Sequence, residues 1–215
     1  MRLLASAAVL AFLLGGTAAS AADLSGPMPF DWSGFYVGVQ GGLDLTQPNE
    51  VAPTALPGSA TEVSGGINAQ TLYQTDSVVF GAILDGNIAT PIASQSCPVT
   101  TRTCQAGSGG DFSLRGKLGY AQDNFLLYGT GGWGWADYQA KSYVTADGSA
   151  LTADQRLLNG WVAGAGVSYA INSNWIANVE YLHYDLGSGT SYTTAGGETI
   201  APTINSLTLG VGYKF

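Results

Sequence analysis

Apolar and polar residues alternate along most of the chain after residue 33, and a period of two dictates strands rather than helices. In the segment 34–45, Phe35, Val37, Val39, Leu43 and Leu45 share one face, while Tyr36, Gln40 and Asp44 share the other. The stretch 66–74 alternates more weakly, with Ile67, Ala69, Thr71 and Tyr73 against Asn68, Gln70 and Gln74. The pattern sharpens over 111–120, where Phe112, Leu114, Leu118 and Tyr120 oppose Ser113, Arg115 and Lys117. The same reading gives strands over 78–88, 125–135, 157–170, 175–184 and 205–215, eight in all.

Their connections alternate in length. Three are tight, "TDS", "AQDN" and "INSN"; the four others, roughly 46–65, 90–110, 137–156 and 187–202, are long and polar. Short turns on one rim and long loops on the other predict an antiparallel eight-stranded barrel of the outer-membrane type. All eight prolines lie in the lead before the first strand or in the long loops, as a hydrogen-bonded ladder requires.

Composition narrows the choice between a membrane barrel and a soluble one. Only 10% of residues are charged, against about 25% in ordinary soluble domains. The apolar faces carry no Asp, Glu, Lys or Arg away from their loop ends, whereas Asp85, Arg115, Lys117, Glu180 and Lys214 fall on the polar faces. A lipocalin-like soluble barrel would put its apolar face inside. Periodicity alone does not say which face points inward, but the low charge and the aromatics near strand ends favour apolar outside. No apolar run after the first residues approaches a helical span, so entry into a membrane requires a closed barrel with every backbone group paired.

The opening "MRLLASAAVLAFLLGGTAASA" has one basic residue, an apolar run and a small-residue end, the pattern of a secretory leader. Cleavage is expected between Ala21 and Ala22, giving a leader of 1–21 and one barrel domain of 22–215. Arg2 leaves with the leader, so six basic residues face 15 acidic ones, a net charge of −9. That balance argues against a nucleic-acid partner.

The polar faces hold the candidate chemistry. Arg115 lies six residues before Ala121, Glu180 six after Asn174 and Asp85 eight after Ser77. At about 3.3 Å per residue and a tilt near 40° the three reach similar mid-membrane heights. The expectation is a lumen charge cluster of Asp85, Arg115 and Glu180 with Lys117 below it, acting as a plug; the alternative is an ion path. Eight strands leave an interior just wide enough for side chains to fill, which favours the plug.

His183 falls on the apolar face near the long-loop end of its strand, close to Asp185, Ser188 and Ser191. A lipid hydrolase would place its site near there, but this spacing supplies no activated nucleophile, and an interfacial polar side chain is the expected role. Cys97 and Cys104 lie in the second long loop, and an exported chain meets an oxidising compartment, so a disulfide is expected. Closing so short a loop stabilises by about 2.5 kcal/mol on a chain-entropy account. Two cysteines without a nearby histidine do not make a zinc site, "GTGGWG" lies within a strand and cradles no phosphate, and no cofactor is indicated.

Four blocks, "DWSGFYVGVQGG" (31–42), "LRGKLGYAQDNFLLYGTGGWGW" (114–135), "GWVAGAGVSYAINSNWIANVEYLHYDLG" (160–187) and "LTLGVGYKF" (207–215), resemble the alphaproteobacterial outer-membrane β-barrel family of RopB-like surface antigens. Ser168 stands where that family often has an acidic residue. The resemblance implies a non-enzymatic outer-membrane protein with a structural or antigenic role; a narrow porin is the alternative and a lipid-modifying hydrolase a distant one. It also implies that the final strand, with Tyr213 and Phe215, is read by the barrel-assembly machinery. Lipopolysaccharide is the expected surrounding contact, with Arg102, Lys141 and Arg156 in or beside the loops as its phosphate partners.

Overall fold

The computed structural model describes residues 29–47, 60–91, 95–96, 102–144, 150–187, 189–193 and 196–215. Eight long strands dominate: β1 Gly34–Gln47, β2 Ala60–Thr75, β3 Val78–Pro91, β4 Arg102–Gln122, β5 Phe125–Val144, β6 Ala150–Ala170, β7 Trp175–Asp185 and β8 Thr203–Lys214. Each pairs antiparallel with its sequence neighbours, and β1 pairs with β8 from Tyr36↔Lys214 to Gln47↔Thr203. The sheet therefore closes on itself, and none of the eight strands is left with a free edge.

The short connections are set by local chemistry. Asp76 and Asp123 open the β2–β3 and β4–β5 turns with φ of 53° and 52°, left-handed values that aspartate tolerates better than most residues. At the third turn the Asn172 side-chain carbonyl accepts the N–H groups of Asn174 and Trp175, both at 2.9 Å. These three turns define one rim, and the long connections define the other.

Burial resolves which face is inward. Phe35, Val37, Val39 and Leu43 of β1 are exposed, while Tyr36, Gly38, Asp44 and Thr46 are buried. The alternation repeats around the barrel, with Leu209 64% and Ile88 76% exposed. Outward acidic residues occur toward the loop rim, at Asp137 and Asp185; from there to the turn rim the outward rows of the described strands carry no Asp, Glu, Lys or Arg. Aromatic pairs border this apolar band on the turn side, where Tyr73 stacks on Phe80 and Phe125 packs on Tyr169. On the loop side Phe112 stacks on Trp135 at 4.7 Å and Trp161 meets His183 at 5.4 Å.

Several strands run further than the pattern predicts. Residues 60–65, 102–110, 137–144 and 150–156, expected in loops, are paired strand, with matches such as Gln139↔Gln155. A transmembrane strand needs only about 9–11 residues. Beyond that length both faces meet water, so the polarity alternation fades while backbone pairing continues. Segment 187–202 also contains a separate hairpin, Gly189–Thr193 with Gly196–Ile200. Arg102, Lys141 and Arg156 thus sit on strand extensions rather than in loops. The leader with its Ala21/Ala22 junction, and Cys97 with the expected disulfide to Cys104, lie outside the described residues.

Candidate functional site in the barrel lumen

Inward side chains form three layers. Nearest the turn rim is an apolar cluster of Trp32, Tyr36, Leu72, Val79, Leu126 and Ile176 with their neighbours. Nearest the loop rim is a second, which includes Val162, Leu182, Tyr184 and Ile204. A polar layer separates them.

Arg115 of β4 organises that middle layer. Its guanidinium donates from Nη1 to Glu180 Oε1 at 2.9 Å and Thr130 Oγ1 at 3.0 Å, and from Nη2 to Glu180 Oε2 at 3.2 Å and Asp85 Oδ2 at 3.0 Å. Nε donates to Ser113 Oγ at 2.9 Å, and the Ser113 hydroxyl donates to the other Asp85 oxygen. All five guanidinium N–H groups therefore have an acceptor, the arrangement in which a buried arginine offsets its desolvation best. Asp85, Arg115 and Glu180 are each no more than 4% exposed. Together they tie β3, β4, β5 and β7 across the lumen.

Lys117 lies one inward position nearer the turn rim and joins the layer differently. Its ammonium donates to Gln70 Oε1 at 2.8 Å and sits 3.8 Å over the Tyr128 ring. The described salt bridges give it no carboxylate partner. Tyr128 fits because its register partner on the neighbouring strand β6 is Gly166, over which its side chain lies: a Cβ there would lie 2.5 Å from the Tyr128 oxygen and 2.6 Å from the Val179 carbonyl oxygen.

Three further inward carboxylates escaped sequence reasoning as site residues. Glu62 accepts from Thr46 Oγ1 at 2.8 Å and from the Ser108 N–H at 2.6 Å, where a bulge between Ser108 and Asp111 redirects β4. Asp44 accepts from the Ser206 hydroxyl. Asp111 accepts from Asn87 Nδ2 at 3.0 Å and Tyr184 Oη at 3.2 Å, and Asn87 continues through Gln40 to Asn68. Each is held by neutral donors rather than by a cation. The inward parity that Glu62 shares with Asn68 and Gln70 was the available signal, hidden because 60–65 reads as loop.

His183 is on the outward face, and its Nδ1 lies 2.8 Å from Asn205 Oδ1, which also accepts from Tyr181 Oη at 2.7 Å. Asp185 accepts the Gly187 N–H at 3.2 Å. The imidazole thus pairs with an amide at the aromatic border; Ser188 and the side chain of Ser191 lie outside the described residues. Tyr213 and Phe215 sit on the outward turn rim, their rings 5.1 Å apart, with Phe215 6.1 Å from Phe35. No cluster of His, Cys, Asp and Glu suited to a metal ion occurs among the described residues.

A closed antiparallel barrel with an apolar, aromatic-bordered exterior and a polar interior is an integral outer-membrane β-barrel. Its turn rim is the periplasmic one and its loops face the cell exterior. The chain matches the family model described as "Outer membrane protein beta-barrel domain" over residues 7–215 and belongs to that family. It is 31% identical over 204 residues to the 31 kDa outer-membrane immunogenic protein of Brucella melitensis, covering 86% of this chain and 85% of that protein. It is 29% identical over 185 residues to the 22 kDa outer membrane protein of Rhizobium leguminosarum bv. viciae, covering 86% and 78%. Among solved structures, Neisserial surface protein A is similar in fold, with a TM-score of 0.52 at 19% identity, over 85% of this chain and 98% of that one.

Proposed function

We propose that this outer-membrane barrel is a non-enzymatic, non-conducting envelope protein that reinforces the membrane and presents its long loops as surface antigens. The observation that carries the reading is the Arg115 bridge. A guanidinium with all five donors engaged reaches from β4 to carboxylates of β3 and β7, and in an interior with room for few side chains such a bridge supports a closed, reinforced barrel. The relatives' name, "immunogenic", supports the antigenic part, since surface-exposed loops are what antibodies reach.

Planar-bilayer recording tests the proposal. Purified refolded barrel should give no steady open level. A steady conductance that Arg115→Ala or Glu180→Gln alters in size or ion preference would instead make the protein a narrow porin.

A further inference from the structure

We infer that the segment Pro29 to Ser33, which precedes β1, is a releasable stopper that shuts the periplasmic mouth of the barrel. This goes beyond the proposed function and stands whether or not the lumen conducts.

Trp32 precedes the first strand, outside the β-ladder, yet its side chain is 0% exposed. It is packed inside the mouth in the cluster of Tyr36, Leu72, Val79, Leu126 and Ile176. A tryptophan in that position excludes water from the end of the lumen, because an eight-stranded interior has room for few side chains in any one layer.

The stopper is pinned from three strands. Trp32 N–H donates to Gln74 Oε1 of β2 at 2.7 Å, and its carbonyl accepts the Tyr36 hydroxyl of β1 at 2.8 Å. Gln74 N–H donates to Ser33 Oγ at 3.0 Å. From β8, the Lys214 ammonium donates to the Asp31 carbonyl and lies 4.8 Å from the Phe30 ring centre, while Phe30 meets Trp32 edge-on at 4.8 Å. The pins therefore fall on both sides of the β1–β8 closure.

Every one of these contacts uses a side chain on at least one partner, so the segment can leave without breaking a ladder bond. It also seats imperfectly: Trp32 Nε1 is buried with no hydrogen-bond partner, whereas every N–H of the Arg115 guanidinium has one. An unmet buried donor weakens a docked state relative to a solvated one. Of the two obstructions, the stopper is the one built to open.

The test uses a single thiol behind Trp32. Val79 is inward and 0% exposed in the same cluster. Val79→Cys is made in a barrel carrying Cys97→Ser and Cys104→Ser, refolded, and treated with a water-soluble methanethiosulfonate ammonium reagent; heat-dependent gel mobility verifies folding. The thiol should react slowly, Gln122→Cys at the exposed turn should react fast, and Trp32→Ala should speed labelling at position 79 by about tenfold or more, the scale of a lost local protection. Arg115→Met in the same background should leave that thiol protected, which separates the stopper from the mid-lumen bridge. Equal labelling with and without Trp32, or parent labelling as fast as at the exposed turn, would overturn the inference. If Trp32→Ala does not fold, Phe30→Ala combined with Lys214→Met removes the outer pins while keeping the indole. That pair should also accelerate labelling, and an unchanged rate would be equally fatal.

Discussion

Replacing Arg115 with methionine keeps most of the side chain's apolar bulk and deletes the charge that holds Asp85 and Glu180. Glu180 then loses both guanidinium bonds, while Asp85 keeps only the Ser113 hydroxyl. Both carboxylates are almost wholly buried, so neither regains water. Breaking a buried ion pair from one side costs about 3–5 kcal/mol, most of it the isolated charge left behind. The triple variant Arg115→Met, Asp85→Asn, Glu180→Gln removes that charge as well, and its loss should shrink to the unmade hydrogen bonds, roughly 1–3 kcal/mol. Urea titration of the barrel in lipid vesicles, scored by the folded band on unheated gels, measures both. A loss under about 1 kcal/mol for Arg115→Met, the range of an exposed pair, would refute the bridge as a wall-spanning tie. A triple variant no better than the single one would refute the assignment of the cost to unpaired charge.

Other outcomes follow from the same geometry. Gly166→Ala should cost about 1–3 kcal/mol by overpacking against Tyr128 and the Val179 carbonyl. Gly131→Ala, on the lipid face with its nearest atom at 3.9 Å, should stay within about 0.5 kcal/mol, and the same urea titration compares the two. Leu209→Lys, placed in the outward mid-depth row, should cost about 2–4 kcal/mol in vesicles, and a neutral result would contradict the lipid-facing orientation. The membrane-extracted protein should change apparent mass on gels when boiled; recovery in the soluble periplasmic fraction without such a shift would contradict an integral barrel. Deleting Phe215 removes its N–H bond to the Phe35 carbonyl, 3.0 Å, at the periplasmic end of the β1–β8 seam. It should slow membrane insertion in cells more than it lowers the stability of refolded barrel, which pulse-labelling and urea titration separate.

The membrane-embedded part of each strand was legible because one face must satisfy lipid and the other a small polar interior, and two such demands enforce a period of two. The charges showed the same logic, since parity and distance from the turns put Asp85, Arg115 and Glu180 at one level. Where both faces meet water that constraint lapses, so the strand extensions of β2, β4, β5 and β6 left no mark, and Glu62 and the Ser108 bulge went unread with them. Parity also assigns a residue to a face without saying what it touches. That Arg115 takes both carboxylates while Lys117 turns to Gln70 and Tyr128, and that Asp111 answers to Asn87 and Tyr184, depends on which strands the closure brings face to face. Trp32 shows the limit most clearly. It lies outside any alternating segment, and only the closed barrel, by offering an apolar mouth of the right width, decides that it goes in.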